Sequence, residues 1–413
     1  MLKNKIIAIG FVALFGPFVF WASQSANSQV EQKIRNVENG LIEFKPGSPA
    51  ENAPAPKKMA LSERMAFYKV PGVSIAVIHD HKIEWSKGYG VLKAGSSTPV
   101  TPDTFFQAAS TSKLITAAIA LHFVGKRKLD LDRDVNSYLK SWKIPENDLT
   151  KNKKVTLRLL LSHQAGLPTT NFDHDEKVGY PTLVQVVKGE SPAKNKAAVV
   201  EFVPGSKWQY SNVGYDVIQL VLEDVLDKPF AQIAQEIVFK PLGMKSSTFA
   251  YPLKPELLAK EAMPHDDKGI AREPAMHLTA LAHGGLMTTP SDLARFTIEL
   301  MLAYQGKSSR ILSQEMARQL LNKELDLDPK MTAGFPLGEG LGVFLRGQAD
   351  QFSFLHPGGN LPGTNCWLEG WPGSGKGVVI MANGAGGEVL AIEILQAVIN
   401  EYQGPIPTKI SHP

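Results

Sequence analysis

Ser110 and Lys113 are the side chains of this sequence whose types and spacing best suit nucleophilic chemistry. Three residues make about one helical turn, so the hydroxyl and the amine can lie on one face of a helix and approach each other. Backbone N–H groups at the start of a helix favour negative charge on an oxygen. Burial favours the neutral form of a lysine, which is the form that can accept the hydroxyl proton. The pair could therefore be a nucleophile and its base.

The surroundings of this pair distinguish it from other pairs with the same spacing. Those others are Ser137 with Lys140 and Ser191 with Lys194. Both lie in polar stretches that contain Asp or Pro, whereas residues 114–124 are apolar except for Thr116 and His122. A helix that is apolar on nearly every face belongs inside a fold. We therefore expect the Ser110 to Lys113 turn to be held firmly at the N-terminal end of a buried helix.

Two other short patterns follow in the chain. They are Tyr210-Ser211-Asn212 and His356-Pro357-Gly358. The first is the only Tyr-x-Asn of the sequence, and it stands between a Pro-Gly turn and a helical pattern. Its side chains should thus project from a loop, as catalytic groups often do. Taken alone, Tyr210 is better explained as an aromatic that packs on Trp208, and Asn212 as a helix N-cap.

In combination, the three patterns resemble those of the serine β-lactamase and penicillin-binding superfamily. Within it, they are most similar to the branch of class C β-lactamases, D-aminopeptidases and family VIII esterases. The resemblance runs from about Met59 to Tyr402 and includes several segments in the same order. These segments are LLLSHQAGLP (159–168), PGSKWQYSNVGYDVI (204–218), FKPLGM (239–244), HGGLMTTPSDLARF (283–296) and HPGGNLPG (356–363). Several specific matches in one order rarely arise by chance.

The resemblance implies catalytic roles for three residues. Ser110 would be the acylated nucleophile, and Lys113 its basic neighbour. Tyr210, as a phenol or phenolate, would pass a proton to the leaving group and later activate water. Asn212 would hold Lys113 and the carbonyl side of the substrate. This is the chemistry of a serine hydrolase that works through an acyl-enzyme.

The third pattern would bind the substrate through His356, Gly358 and Gly359. The resemblance implies an oxyanion hole made of the backbone N–H groups of Ser110 and Gly359. A tetrahedral intermediate needs two such fixed donors. Glycines at positions 358 and 359 also leave room for a substrate beside the strand.

His356 stands where β-lactamases of this superfamily usually have the lysine of Lys-Thr-Gly, which holds a substrate carboxylate. Histidine is mostly neutral near pH 7 and anchors an anion less well, although it can donate a hydrogen bond. His-x-Gly is more similar to the esterases and D-amino-acid peptidases. We therefore rank hydrolysis of small esters, amides or D-amino-acid peptides first, and β-lactamase or DD-peptidase activity second. The other candidate, His283-Gly284-Gly285, leads into a helical pattern and is interpreted as structural.

A function of another class also stays open, that of a non-catalytic relative that binds a cell-wall fragment or a partner. Residues 370–377 approach a phosphate-binding loop, but Gly377 stands where Ser or Thr should hold magnesium, and a strand pattern follows. The sequence has no Gly-x-Ser-x-Gly and no His-Glu-x-x-His. His163, His277 and His283 are interpreted as loop or packing residues. We predict no metal and no cofactor.

The elements that would position these residues predict an α+β fold. Two strand patterns flank His81, and short strands separated by Gly and Pro precede a closing helix from Glu388 to Tyr402. The chain between them is rich in helix. Strands from both ends should therefore form one antiparallel sheet flanked by helices, with a mostly helical subdomain inserted at about 125–300. The resemblance implies the same β-lactamase/transpeptidase-like architecture.

Composition limits the remaining possibilities. The chain has 413 residues, 43% of them hydrophobic, which is enough for a large core. Its net charge of +4 is scattered and does not suggest a nucleic-acid surface. Cys366 is the only cysteine, which excludes an internal disulfide. We predict an extension with a Pro-rich linker at 27–58, a catalytic domain at 59–403 and a tail at 404–413.

The N-terminus indicates export. Lys3 and Lys5 precede an apolar run from Ile6 to Trp21, which small residues suited to cleavage follow. We expect residues 1–26 to be a signal peptide of a bacterial protein that is periplasmic or secreted. An uncleaved inner-membrane anchor through residues 6–21 is the alternative. A small ester, amide or peptide is the expected partner, and the sequence does not indicate the oligomeric state.

Overall fold

An eight-stranded antiparallel sheet is the centre of the fold in the computed structural model, which describes residues 16–45, 56–170, 177–272, 279–332, 336–348, 351–361 and 363–403. The strands are β1 (Leu41–Ile42), β2 (Lys58–Met59), β3 (Gly72–His79), β4 (Lys82–Gly90), β5 (Phe106–Gln107), β6 (Met287–Thr288), β7 (Leu325–Asp326), β8 (Gly338–Glu339), β9 (Phe344–Arg346), β10 (Ser353–Leu361), β11 (Thr364–Trp371) and β12 (Lys376–Ala382). The order in the large sheet is β4-β3-β12-β11-β10-β9-β8-β7. Two small pairs, β1 with β2 and β5 with β6, lie outside it.

Helices fill the chain between β4 and β7 and also occur at both ends. They are α1 (Gly16–Glu38), α2 (Leu61–Phe67), α3 (Ser112–Gly125), α4 (Leu157–Leu161), α5 (Leu183–Lys188), α6 (Asn212–Leu226), α7 (Phe230–Ala234), α8 (Lys240–Leu242), α9 (Pro255–Leu258), α10 (Pro290–Tyr304), α11 (Gln314–Leu320) and α12 (Gly387–Glu401). Short 3-10 turns lie at Ala109–Thr111, Val135–Ser137, Asp148–Thr150 and Pro329–Met331, and a π-helical turn lies at Gln235–Phe239.

The predicted junction of the two chain ends is confirmed inside the sheet, between its second and third strands. Strand β3 from the N-terminal part pairs with β12 from the C-terminal part, and Ile75 lies opposite Ile380. The α+β class and the antiparallel arrangement are therefore as the sequence predicts. Residues 370–377, which approach a phosphate-binding loop in sequence, form the tight connection between β11 and β12. A strand and not a helix follows them, as the sequence predicts.

The two faces of the sheet pack against different sets of helices. Alternate residues of a strand point to opposite faces, and β3 shows this clearly. Val73, Ile75 and Val77 join a cluster that contains the apolar side of α12. Ala76 and Ile78 join the larger cluster that contains α3, α6 and α10. The candidate site lies on the side of this larger cluster.

Helix α3 is buried along nearly its whole length, as its apolar sequence predicts. All residues from Ser112 to Leu121 are buried, and so is Phe123. Burial of an entire helix removes the freedom of its first turn to move. The side chains at its N-terminal end therefore project from a rigid support.

The packed structure begins upstream of Met59, where the sequence predicts the domain to start. Helix α1 extends to Glu38 and packs against α12, with Ile34 and Val37 buried in the same cluster. Strand β1 then pairs with β2, placing Leu41 opposite Met59. Part of the predicted extension thus belongs to the core, because its apolar residues cover one side of α12.

Several predicted segments lie outside the described residues. These are residues 1–15 of the signal peptide or anchor, residues 46–55 of the linker, His277, and the tail at 404–413. In the described part of the chain, none of the helices combines the length and the apolar composition that a membrane span requires.

Candidate active site

Ser110 lies in a 3-10 turn that leads directly into α3. The preceding residue, Ala109, has a φ of 46°, in the left-handed region that costs a non-glycine residue about 1–3 kcal/mol. The Ser112 hydroxyl donates to the carbonyl oxygen of Ala109 at 2.6 Å and stabilises this conformation. Ser110 itself is partly exposed. Its hydroxyl is therefore held in place and yet open to a substrate.

Lys113 is completely buried beneath Ser110. Its Nζ lies 3.1 Å from Ser110 Oγ and donates to the carbonyl oxygen of His283 at 2.7 Å. Burial lowers the pKa of the Lys113 amine to about 7, although the negative charge of Asp216 acts in the opposite direction. A large fraction of the amine is therefore neutral near pH 7. In that form it can accept a proton from the serine.

Tyr210 completes the predicted group of three. The Lys113 Nζ lies 4.9 Å from the centre of its ring. Burial raises the pKa of the Tyr210 hydroxyl, its hydrogen bond with Ser110 lowers it, and Glu339 raises it further. The net direction is upward, so the resting side chain is a phenol rather than a phenolate. The structure thus brings the serine, the lysine and the tyrosine together, although they are up to 100 residues apart.

The loop that carries Tyr210 is fixed by His163, which the sequence analysis interpreted as a loop or packing residue. The imidazole ring lies 4.3 Å from the Tyr210 ring, centre to centre, which is closer than Trp208 at 6.3 Å. The backbone N–H of Ser211 donates to Nδ1 of His163 at 3.1 Å, so this nitrogen is the acceptor. Burial lowers the pKa of His163, and the nearby Lys113 lowers it further. The neutral ring is therefore a fixed support for the tyrosine.

Asn212 is the first residue of α6 and does not cap it. The cap is Ser211, whose hydroxyl accepts from the N–H of Gly214 at 3.1 Å. The N-cap interpretation of Asn212 is therefore wrong, because the cap lies one residue earlier. Asn212 is half-buried beside the tyrosine loop. Its predicted role in holding Lys113 stays a prediction, since the bonds that position the amine go to Ser110 and His283.

Strand β10 runs alongside the turn of Ser110 because position 358 is a glycine. A Cβ atom at Gly358 would lie 2.1 Å from the carbonyl oxygen of Ala108, so no other residue allows this approach. The Thr111 hydroxyl donates to the carbonyl oxygen of His356 at 3.2 Å and ties the two segments together. Gly359 follows directly on this strand. The two residues of the predicted oxyanion hole, Ser110 and Gly359, thus lie on adjoining segments. Their N–H groups as an oxyanion hole stay a prediction.

His356 is buried, and its imidazole is neutral near pH 7, as expected for a histidine. Its Nδ1 lies 2.7 Å from the Pro357 carbonyl oxygen, and since a carbonyl only accepts, Nδ1 carries the hydrogen. Burial lowers the pKa of His356 to about 3, and Lys113 contributes in the same direction. The site therefore lacks the fixed cation that a lysine would supply at this position. An anionic substrate group would find no strong anchor at His356.

His283 was interpreted as structural from its sequence, and no sequence pattern pointed to Asp216. The structure places both at the site: the carbonyl oxygen of His283 accepts from Lys113, and its imidazole Nδ1 lies 2.7 Å from Asp216 Oδ1. The one sequence signal for His283 was its position at the start of HGGLMTTPSDLARF (283–296), a segment that resembles the superfamily. Asp216 follows Tyr210 by six residues on α6 and has no motif of its own.

Glu339 of β8 is a second buried carboxyl group near the site. The indole N–H of Trp208 donates to its Oε2 at 3.2 Å. Burial raises the pKa of Glu339 well above its ordinary value, which favours the neutral acid. Among the described residues, no group of three or more His, Cys, Asp or Glu side chains is arranged to hold a metal ion.

Comparisons with known proteins agree with this geometry. Residues 59–401 match the family model described as "Beta-lactamase". The chain is 24% identical over 293 residues to Protein flp of Staphylococcus aureus (strain MW2), covering 69% of this chain and 56% of that protein. It is 31% identical over 194 residues to a putative D-alanyl-D-alanine carboxypeptidase of Escherichia coli O157:H7, covering 45% of this chain and 44% of that protein. The matches thus span about half the length of these two relatives.

A solved structure shows the same fold. The D-amino acid amidase from Ochrobactrum anthropi SV3, solved in complex with L-phenylalanine, superimposes with a TM-score of 0.67. The match covers 91% of this chain and 99% of the amidase, at 19% sequence identity. At this identity the likeness establishes a common fold.

Proposed function

This chain belongs to the beta-lactamase family, and we propose that it is a serine hydrolase that forms an acyl-enzyme at Ser110 on small amides, esters or D-amino-acid peptides. The observation that carries the proposal is the distance of 3.1 Å between Lys113 Nζ and Ser110 Oγ, together with the burial of the amine. A serine becomes an effective nucleophile when a base of suitable pKa lies within hydrogen-bond reach.

The first half of the reaction follows from these contacts. Neutral Lys113 accepts the hydroxyl proton as Ser110 Oγ attacks the substrate carbonyl carbon. The N–H groups of Ser110 and Gly359 stabilise the negative charge on the carbonyl oxygen. As the bond to the leaving group breaks, the Tyr210 phenol supplies a proton to it, and Lys113 returns a proton to Tyr210. The acyl group is then on the serine.

Hydrolysis of the acyl-enzyme reverses the roles. Water attacks the acyl carbon while Tyr210 and Lys113 accept its proton between them. The serine leaves as the tetrahedral intermediate collapses and regains its hydrogen from Lys113. Because the pKa of Tyr210 is raised, its proton can move only while Lys113 is ready to exchange one with it.

Neutral His356 supports the choice of substrate class. Cell-wall DD-peptides and β-lactams carry a carboxylate that a cation at this position would hold, and His356 is neutral above about pH 3. Uncharged esters and amides need no such anchor. The activity of one similar protein, a D-amino acid amidase, agrees with an amide substrate next to a D-centre.

A side-by-side rate comparison tests the proposal. The substrates are a short p-nitrophenyl ester, a D-aminoacyl p-nitroanilide and a chromogenic cephalosporin. We expect the ester and the anilide to be hydrolysed far faster than the cephalosporin, and a fluorophosphonate probe to label the enzyme. Faster hydrolysis of the cephalosporin would show that β-lactamase activity ranks first.

Two alanine variants make the comparison specific. Ser110→Ala should abolish labelling and lower hydrolysis by at least about ten-thousandfold. Ser137→Ala is the matched control, because Ser137 has the same spacing to a lysine but is exposed and donates only to the carbonyl oxygen of Asp134. Well-folded wild-type protein that is never labelled would support the non-catalytic alternative instead.

We also propose that the enzyme is exported, with residues 1–26 as the signal peptide. The two early lysines, the apolar run and the small residues after it support this. Expression in a bacterium, cell fractionation and mass spectrometry of the intact protein test it. A chain shortened near residue 26 in the periplasm or medium is expected, whereas a full-length chain in the membrane would favour the anchor at 6–21.

A further inference from the structure

The segment that supplies a carbonyl oxygen to Lys113 is held rigidly between α3 and α6. From α6, Gln219 Oε1 accepts from the N–H groups of residues 281 and 282 at 2.7 and 3.1 Å. From α3, Thr116 donates to the carbonyl oxygen of Ala282 at 2.8 Å, and Ser112 Oγ accepts from the N–H of Leu286 at 3.1 Å. The carbonyl oxygen of His283 lies between these anchors. Its position under the amine is therefore fixed from both sides.

His283 also makes a buried hydrogen bond through its side chain. Its Nδ1 lies 2.7 Å from Asp216 Oδ1, and the two side chains are 9% and 3% exposed. A carboxylate only accepts hydrogen bonds, so Nδ1 is the donor. Asp216 is itself the source of the electrostatic attraction that Lys113 experiences. His283 thus contacts the amine with its backbone and, with its side chain, the carboxylate that raises the pKa of this amine.

Asp216 is distinct among the titratable groups around Lys113. Those groups are Tyr210, Tyr215 and Asp216 from the α6 side, His163 from the loop after α4, His283 from the segment before β6, and His356 from β10. Burial raises the pKa of both tyrosines and lowers that of His163 and His356, so these four are neutral near pH 7. The more distant Glu339 is also favoured as the neutral acid. Within the described residues, Asp216 is therefore the anionic partner.

We propose that Asp216 and His283 form a positioning pair that holds the Lys113 amine against Ser110 and sets the lower end of the pH range in which this amine acts as a base. The proposal rests on the proposed function, because it assigns a purpose to the pair only if Lys113 is the base. The carbonyl of His283 fixes the position of the amine. The carboxylate of Asp216, oriented by the imidazole, opposes the loss of the amine's charge on burial.

Asp216→Asn is the variant that tests the pair. The amide oxygen can still accept from His283, while the negative charge is lost. Without that charge the amine becomes neutral at lower pH, so the acid limb of fluorophosphonate labelling should move down by about one pH unit. At pH 6 the variant should then label about fivefold faster than the wild type, when each rate is taken relative to its own plateau. The plateau itself should fall a few-fold, because a weaker base is a poorer acceptor.

Asp224→Asn is the matched control, because it removes a carboxylate from the same helix. Asp224 is bonded to the backbone of residues 140 and 141 and does not touch the site. Its acid limb should coincide with that of the wild type. Asp216→Ser is a second variant without the charge, and the same downward movement is expected from it.

Each result decides a separate claim. If Asp216→Asn melts near the wild-type temperature and labels at Ser110 with an unmoved acid limb, the pair has no part in setting the pH range. If both Asp216 variants fail to fold, its role is structural and the proposal is overturned. If Ser110→Ala is labelled as fast as the wild type, the proposed function itself fails, whatever the Asp216 variants do.

Discussion

Two buried basic side chains, Arg64 and Lys113, have different hydrogen-bond partners and opposite pKa shifts. Arg64 of α2 lies in the cluster beneath α12 and donates to both carboxylate oxygens of Glu393, at 2.8 and 2.7 Å. Lys113 lies on the other side of the sheet, and its bonds go to a hydroxyl and to a backbone carbonyl. The hydrogen bonds with Glu393 raise the pKa of Arg64, whereas burial lowers that of Lys113 to about 7.

The difference separates a structural charge from a reactive one. Glu393 also accepts from the hydroxyl of Tyr68 at 2.8 Å and from the N–H of Phe44 at 3.0 Å, so it joins the N-terminal segment to α12. A buried charge that is fully hydrogen-bonded stays charged and orders its surroundings. A buried amine that is hydrogen-bonded only to neutral groups gives up its proton more easily. The same residue class thus fixes the architecture at one place and provides a base at the other.

Lys113→Met should have the largest effect on activity. Loss of a general base typically costs about a hundredfold to ten-thousandfold, and we expect the upper part of that range because Lys113 Nζ is the amine within hydrogen-bond distance of the serine hydroxyl. Labelling and ester hydrolysis at pH 8 measure this loss. The variant should remain folded, since a buried methionine replaces a buried amine. Retained activity would contradict the assignment of Lys113.

Arg64→Met should have the opposite profile. It leaves Glu393 buried without its partner, which typically costs about 3–5 kcal/mol of unfolding free energy. Denaturant unfolding measures the loss, and the activity per folded molecule should be unchanged. Glu401→Gln is the control, because Glu401 lies on the same helix as Glu393 but is only half-buried and accepts from the amide of Asn36; the change should be nearly neutral. An activity loss in folded Arg64→Met would show that the two regions are coupled.

The tyrosines beside the two basic side chains should show the same difference between activity and stability, with smaller effects. Tyr210→Phe should lower hydrolysis about a hundredfold, because the leaving group loses its proton donor. Tyr68→Phe should leave hydrolysis unchanged and cost about 2 kcal/mol of stability, because the lost hydroxyl is hydrogen-bonded to the charged Arg64 and Glu393. Steady-state rates and denaturation curves for both variants test this. Equal effects of the two changes on hydrolysis would contradict it.

The last expected effect is on the pH dependence of stability. The pKa of Lys113 is about 7 in the folded chain and about 10.4 in an unfolded one. Between these values the unfolded state binds more protons, so the contribution of this lysine to stability rises with pH from about 7 to 10 and is constant below 7. The unfolding free energy of Lys113→Met relative to wild type should therefore be highest at pH 7 and decline toward pH 10. A difference that stays constant over this range would contradict it.

The sequence predicts the parts of this site that are encoded locally. The apolar run after Lys113 predicts a buried helix with Ser110 at its start, and the strand patterns at both ends predict the sheet. The contacts of His163, Asp216 and His283 depend on which loops meet across 50 to 170 residues, and no short spacing encodes that. The predicted start of the domain at Met59 stays a prediction, although part of the extension before it packs against α12. The spacing of Ile34 and Val37, three residues apart on a helix, was the signal for packing.

The pH dependence of the acylation rate of Ser110, followed by stopped flow with a p-nitrophenyl ester, tests the central claim most directly. The rate should rise from acid pH through an apparent pKa near 7, and Lys113→Met should lose this limb along with most of the rate. His356, with its pKa lowered to about 3, cannot produce a limb there. A rate that is flat from pH 5 to 8, or a limb that persists unchanged in Lys113→Met, would contradict the account.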